Sequence, residues 1–245
     1  MRTKIWKIIF GCFLIGSSHV TYSQVSSLID SLWNNEEFDK IITQYENEDA
    51  IFSERDSAIV AKTYTAQQQN EKALSLSRLL YKNHPNKISY LLQILAAATQ
   101  LKDNLLVYSY SLNALDKGVR HKSVYRYALS ALNKMDNEEA LWKITDEGWH
   151  LYPQDPVITL NYASLLQEKK LYDSSLNVIL PVLAKDSSQY SLLEKAIKAY
   201  YIKNDFGNAV QLANFPLTKN ILSQIFCCIS CTAITKPNSI RMRCS

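Results

Sequence analysis

The sequence predicts an all-α protein, a superhelical solenoid of antiparallel helix pairs. Three observations predict it. Pro85 and Pro153 stand two periods of 34 residues apart, each at the end of an apolar-periodic stretch. Small or apolar residues recur in fixed columns of that period. Gly and Pro are scarce, 5 and 6 in 245 residues, as expected where helices dominate and few positions need a positive φ.

The repeat shows most plainly in residues 141–172, LWKITDEGWHLYPQDPVITLNYASLLQEKKLY, which read as a helix end, a proline-marked turn, a second helix and the start of a third. Placing each proline near the end of its unit starts the units at Glu54, Ile88, Lys122, Pro156 and Tyr190. Each unit holds a helix A, a polar break and a helix B. The eighth position of the frame is Ala61, Leu95, Leu129, Ala163 and Ile197. The eleventh is Tyr64, Ala98, Leu132, Leu166 and Tyr200, and the twentieth is Ala73, Val107, Leu141, Ser175 and Ala209. Such columns let helices A and B approach closely while larger side chains fill the space beside them. Polar breaks such as Asp136-Asn137 and Lys203-Asn204-Asp205 separate A from B, and Asn83-His84-Pro85-Asn86 separates one unit from the next. Pro156 suits a first helical turn, with Asp155 placed to cap it.

This pattern resembles the tetratricopeptide repeat (TPR) family over residues 54–213. Ala61, Tyr64, Ala73 and Pro85 fall on family positions in the first unit, and Tyr200, Phe206 and Ala209 do so in the last. The signature Trp and Gly early in helix A are absent throughout, so the resemblance rests on period, small-residue columns and terminal prolines. It implies a right-handed superhelix. Residues 24–53 form an earlier, degenerate helical unit, with Leu28, Leu32, Phe38, Ile41 and Tyr45 at helical spacing. About six units exceed the three or so that a solenoid needs.

In the TPR family helix A lines the concave face, and its exposed positions contact the partner. Carried over residue by residue, the resemblance points to a groove formed by Arg126, Tyr127, Ser130, Asn133 and Asn161. It continues through Ser164, Gln167, Glu194, Lys195, Lys198 and Tyr201. This mixture of amide, hydroxyl, aromatic and charged groups suits an extended peptide or an acidic tail, although the same residues also suit the solvated faces of ordinary amphipathic helices. The family's carboxylate clamp of Lys, Asn and Arg is not reproduced at its usual spacing.

No chemistry competes with a binding role. His84, His121 and His150 lie about one repeat apart, and only His150 has carboxylates one turn away, Asp146 and Glu147. That is too few ligands for a metal site. A glycine-rich phosphate loop and a nucleophile elbow are both missing. Trp142 and Trp149, seven apart, share one helical face and read as core. The expectation is a protein without catalytic activity, cofactor, metal or small-molecule substrate, whose partner is another protein or a peptide.

The ends differ from the body. Residues 1–23 have a basic start (Arg2, Lys4, Lys7), an apolar run over 8–15 and a small, polar end, the layout of a secretory signal peptide cleaved after Ser23. Processing as a lipoprotein at Cys12 is the competing reading, opposed by the bulk of Phe10. Residues 214–245 carry all the cysteines outside that leader, Cys227, Cys228, Cys231 and Cys244, and the chain beyond Asp205 has no acid. Three readings of this tail are open: a capping helix over 216–231 with a Cys228–Cys231 disulfide, a zinc site, or a frameshifted end. Setting aside the seven basic residues of the two ends leaves 20 basic against 23 acidic, so the body is mildly acidic and carries no nucleic-acid-binding stripe.

The functional expectation is an exported TPR-like scaffold for protein–protein interaction, periplasmic or at the outer membrane, where peripheral membrane association is compatible with it. The alternative is the extracytoplasmic sensor part of a longer signalling receptor.

Overall fold

The computed structural model describes residues 22–47 and 52–213, and the side chains from Gln24 onward. The leader, Cys12 and the tail with its cysteines therefore lie outside the described residues. Every described element is an α-helix. The chain divides after Leu101 into two compact units.

The first unit holds α1 (Tyr22–Asn34), α2 (Phe38–Glu46), α3 (Glu54–Ala66), α4 (Asn70–Asn83) and α5 (Ile88–Gln100). Consecutive helices pack pairwise, and α1, α3 and α5 also touch one another as successive A helices. Val25, Ile29, Ile41, Val60, Ala61 and Tyr64 form the centre of its core, all nearly or fully buried. Removing an Ile or Leu side chain of this kind from water is worth about 1.5–3 kcal/mol. Ser53 starts α3 with a capping box, exchanging hydrogen bonds with Asp56. Asp56 is fully buried, and its Oδ2 also accepts from Ser26 Oγ of α1 at 2.7 Å, so the cap of α3 doubles as a tie between units of the repeat.

The second unit holds α6 (Asn104–Asp116), α7 (Lys122–Leu132), α8 (Glu138–Leu151), α9 (Pro156–Glu168), α10 (Tyr172–Lys185), α11 (Tyr190–Ile202) and α12 (Phe206–Ala213). Tyr125 of α7 is fully buried, and its hydroxyl donates to Glu147 Oε1 at 2.7 Å. Its ring fills the space left by Gly148 of α8, where a Cβ would come within 3.0 Å of Tyr125 Cδ1. Trp142 and Trp149 pack on the core of this unit, with Trp149 stacked on Tyr162 at 4.7 Å.

Helices α3, α5, α7, α9 and α11 begin at Glu54, Ile88, Lys122, Pro156 and Tyr190, one every 34 residues. The eighth and twentieth columns meet directly in α9 and α10, where Ser175 Oγ donates to the carbonyl of Ala163 at 3.3 Å. In the α7–α8 pair both columns carry leucine, Leu129 and Leu141. Leu129 is fully buried, whereas Leu141 is only half-buried.

Positive φ is commoner than the glycine count predicts. Glu36, Gln68, Lys102, Lys170 and Asn204, none of them glycine, have φ of 58 to 61°, and each follows an A helix. The reason lies in how these helices end. At Lys170, the Leu171 amide donates to Leu166 O at 2.8 Å and the Lys170 amide to Gln167 O at 2.9 Å. The same pair of bonds recurs around Gln68 and Asn204, satisfying carbonyls that the helix end would orphan. The left-handed conformation costs a residue with a Cβ about 1–2 kcal/mol. Lys170→Gly is therefore expected to stabilise the second unit by about 0.5–1 kcal/mol, after allowing for glycine's greater freedom when unfolded. A urea titration followed by Trp142 and Trp149 fluorescence measures it, and a lower midpoint would contradict this account of the turn.

Candidate functional site

Two clefts lie along the A helices, one in each unit. In the first unit, α1, α3 and α5 bound a cleft of about 890 Å³. Its walls alternate charge and ring: Asp30 and Trp33 from α1, Arg55, Ile59 and Lys62 from α3, Lys87, Tyr90 and Gln93 from the start of α5. Arg55 holds Asp30 through two bonds of 2.9 and 3.0 Å. Gln93 donates to the carbonyl of Ala58 at 3.1 Å, which fixes α5 against α3. Lys62 projects from α3, exposed.

Glu54, the first residue of α3, joins several of these groups. It accepts from Lys87 Nζ at 2.5 Å and from the Tyr90 hydroxyl, and His84 Nε2 lies 3.1 Å from its second oxygen. The bond from Lys87, then that from Tyr90, holds the Glu54 carboxyl below the usual glutamate range. Lys87 rises in return, chiefly through its bond to Glu54. Glu46 is held low in the same way, first by Lys72 and then by Tyr64.

In the second unit, α9 and α11, with Asn133 just after α7 and Leu141 of α8, bound a cleft of about 410 Å³. It brings together five of the eleven residues named from the sequence: Asn133, Asn161, Ser164, Glu194 and Lys195. Asn133 Nδ2 donates to Asn161 Oδ1 at 2.6 Å, and Asn161 donates in turn to Val157 O at 2.8 Å. Ser164 Oγ is turned back onto Leu160 O at 2.8 Å. Leu141 of α8, half-buried, supplies apolar wall here.

The other six lie outside that lining. Arg126 grips Asp155 through bonds of 3.0 and 2.5 Å, and Asp155 is 7% exposed while capping α9 at the amides of Val157 and Ile158. Its guanidinium thus fastens α7 to the start of α9. Gln167 donates to Ser175 Oγ and to Lys195 O, bridging α9 to both α10 and α11. Tyr127 is half-buried, and that burial pushes its hydroxyl pKa up. Tyr201 packs edge-on against Phe206 at 5.5 Å. Ser130 and Lys198 are exposed.

The sequence reading placed the groove only in the later repeats and passed over the larger cleft in the first unit. The available signal was Arg55 and Lys62 on exposed positions of α3, beside the half-buried Trp33 of the degenerate first repeat; Gln93 is buried and gave none.

These helix pairs, repeated every 34 residues with A helices side by side, define a helical-repeat protein. The fold is that of tetratricopeptide repeat proteins. It matches the crystal structure of YrrB, a TPR protein, with a TM-score of 0.53 and 15% identity, covering 72% of this chain and 89% of that one. It also matches a TPR protein from Parabacteroides merdae with a TM-score of 0.58 and 12% identity, covering 78% and 77%. No protein-family model matches the sequence, and no curated protein is significantly similar to it. At such identities the likeness concerns the fold.

Two outcomes are expected here. Asp155→Ala removes both the α9 cap and the partner of Arg126, and should cost about 2–3 kcal/mol in urea denaturation. Lys198→Ala should stay within about 0.5 kcal/mol of the parent. Equal effects would mean that Asp155 is not a structural tie. The second concerns acid. Because the Glu54 and Glu46 carboxyls are depressed in the folded chain, their contribution is complete above the ordinary glutamate range. It is lost as pH falls through their lower folded values. Glu54→Gln should therefore flatten the fall in denaturation midpoint between about pH 5 and pH 3. An unchanged slope would show that the Lys87–Glu54–Tyr90 cluster carries no such linkage.

Proposed function

We propose that this chain is an exported scaffold that holds an extended segment of a partner protein along its A-helix clefts. The observation that carries the proposal is the 890 Å³ cleft of α1, α3 and α5. Its lining combines two half-buried or buried rings, Trp33 and Tyr90, with an exposed cation, Lys62, and with ion pairs already formed by Arg55 and Lys87. Rings give a ligand large contact area at small entropic cost, and a cation on a rigid helix fixes its register. The cleft is too open and too polar to enclose a small apolar molecule, whereas an extended chain can lie across three parallel helices and exchange hydrogen bonds with Gln93 or, in the second unit, with Asn133 and Asn161.

Two further facts support the reading. YrrB, which shares the fold, is described as having an unusual peptide-binding site. The basic, apolar and polar succession of residues 1–23 is that of an export signal, which would place the scaffold in the periplasm or at the outer membrane.

The test is selection of peptides from a random displayed library against the full chain. Peptides that bind at the first cleft should lose at least about tenfold in affinity with Lys62→Glu, a difference of about 1.4 kcal/mol. Peptides using the second should be weakened by Asn161→Ala combined with Lys195→Ala, both of which line it. A library that yields no binder, or binders indifferent to all three substitutions, would overturn the proposal.

A further inference from the structure

Where α8 packs on α9, large rings fill the surface. Tyr162 of α9 lies 6.0 Å from the Trp142 ring and 4.7 Å from the Trp149 ring, and Lys169 Nζ stands 3.6 Å over Trp142. One repeat earlier, α6 and α7 carry Tyr108 in place of Trp142, Leu115 in place of Trp149 and Ala128 in place of Tyr162. There a cleft of about 680 Å³ stands between α6 and α8. It is lined by B helices, whereas the two clefts described above follow the A helices.

Tyr108, Leu112 and Asp116 succeed one another at one-turn spacing along α6, and Glu139, Lys143 and Glu147 do so along α8. Leu115 and Ile144, 6% and 4% exposed, supply an apolar floor. One wall is arranged in advance. Buried Tyr125 donates to Glu147 Oε1, Arg120 Nε lies 2.8 Å from the same oxygen, and Arg120 Nη1 donates to Leu115 O at 2.7 Å. Glu147 and Arg120 thus neutralise each other.

The open charges are Asp116, Glu139 and Lys143, all exposed and without an ion pair among the described residues. Glu139 and Lys143 stand one turn apart in the order that favours pairing, yet they are not paired. Helices α6 and α8 run in the same direction, each antiparallel to α7. Asp116, the last residue of α6, and Glu139, in the first turn of α8, therefore stand at opposite ends of the cleft, with Lys143 between them. The cleft of α1, α3 and α5 has the opposite character. Its open charge is Lys62, because Arg55 and Lys87 are compensated by Asp30 and Glu54.

We propose that the α6–α8 cleft is a separate binding site for a basic segment of a second partner protein. An extended chain with a cation near each end meets Asp116 and Glu139 together. Apolar side chains between those cations fit against Tyr108, Leu115 and Ile144, and spare Lys143 a like charge. A segment that suits this cleft is disfavoured at Lys62, so the two sites select different sequences. The chain would then join two partners, one on its A helices and one on its B helices.

The test uses the full chain and an array of acetylated, amidated peptides of graded length, with Lys or Arg at both ends and Leu, Phe, Ser or Gly between. Counterparts with Glu at both ends are the comparison. Some basic peptides should bind and their Glu counterparts should not. Asp116→Asn combined with Glu139→Gln should weaken the binders at least about fivefold, with an unchanged urea midpoint, because both side chains are exposed. Lys62→Glu should leave them unaffected, which separates this site from the first cleft whether or not that cleft binds peptides. No basic binder at any length, equal binding of the Glu counterparts, or binders indifferent to the double substitution would overturn the proposal. So would binders lost with Lys62→Glu. A dimer in sedimentation that dissociates with Asp116→Asn and Glu139→Gln would also overturn it, since a second copy would then occupy the cleft.

Discussion

Everything in this structure depends on how closely helix A can approach helix B. Where a small residue stands at the crossing, as with Ala61 and Ala73 or Ala163 and Ser175, the two backbones come near enough for a serine hydroxyl to reach the opposite carbonyl. The three-residue turns after α3, α9 and α11 each close through a left-handed residue, Gln68, Lys170 or Asn204, and its strain is compensated by the carbonyls the turn satisfies. The α7–α8 pair, with leucine on both sides, departs from the pattern. Its A helix is shorter, ending at Leu132, and its turn lacks a positive φ.

The period, the helix starts and the fold were legible because alanines, prolines and polar breaks each record a local requirement. Crossings favour small or apolar side chains, and prolines such as Pro85, Pro153 and Pro156 stand between helices or in a first helical turn. The clefts were less legible, since cleft residues are set by which partners they find. Arg126 has the composition of a binding residue, yet the buried cap Asp155 lies one helix away and takes its guanidinium. Gln167 likewise looks exposed in a helical projection but bridges three helices. In neither case does periodicity reveal the partner, which lies about 28 or 29 residues further along the chain.

The first unit illustrates the complementary failure. Its A helices carry Trp33, Arg55 and Lys62, but α1 and α2 lack the small-residue columns that made the later repeats conspicuous. The groups around Glu54 came together only when the α4–α5 turn placed His84, Lys87 and Tyr90 against the start of α3. Scarcity of glycine also misled: it reads as few left-handed turns, whereas these turns are occupied by Lys, Gln, Glu and Asn.

The side-chain ties between repeats share a reach. Ser26 to Asp56, Arg55 to Asp30, Arg126 to Asp155, Asn133 to Asn161 and Lys203 to Asp173 each span 25 to 30 residues, about one period. Mechanically, such a chain resembles a row of links in which tension passes only between neighbours. A disturbance at one link is diluted at the next, because no brace among the described residues skips over it. A bound segment would thus be felt by the pair it touches and the pair beside it. Distant pairs would sense it only if the same ligand reached them too, so the length of the ligand, rather than stiffness of the protein, would set how far its presence is registered.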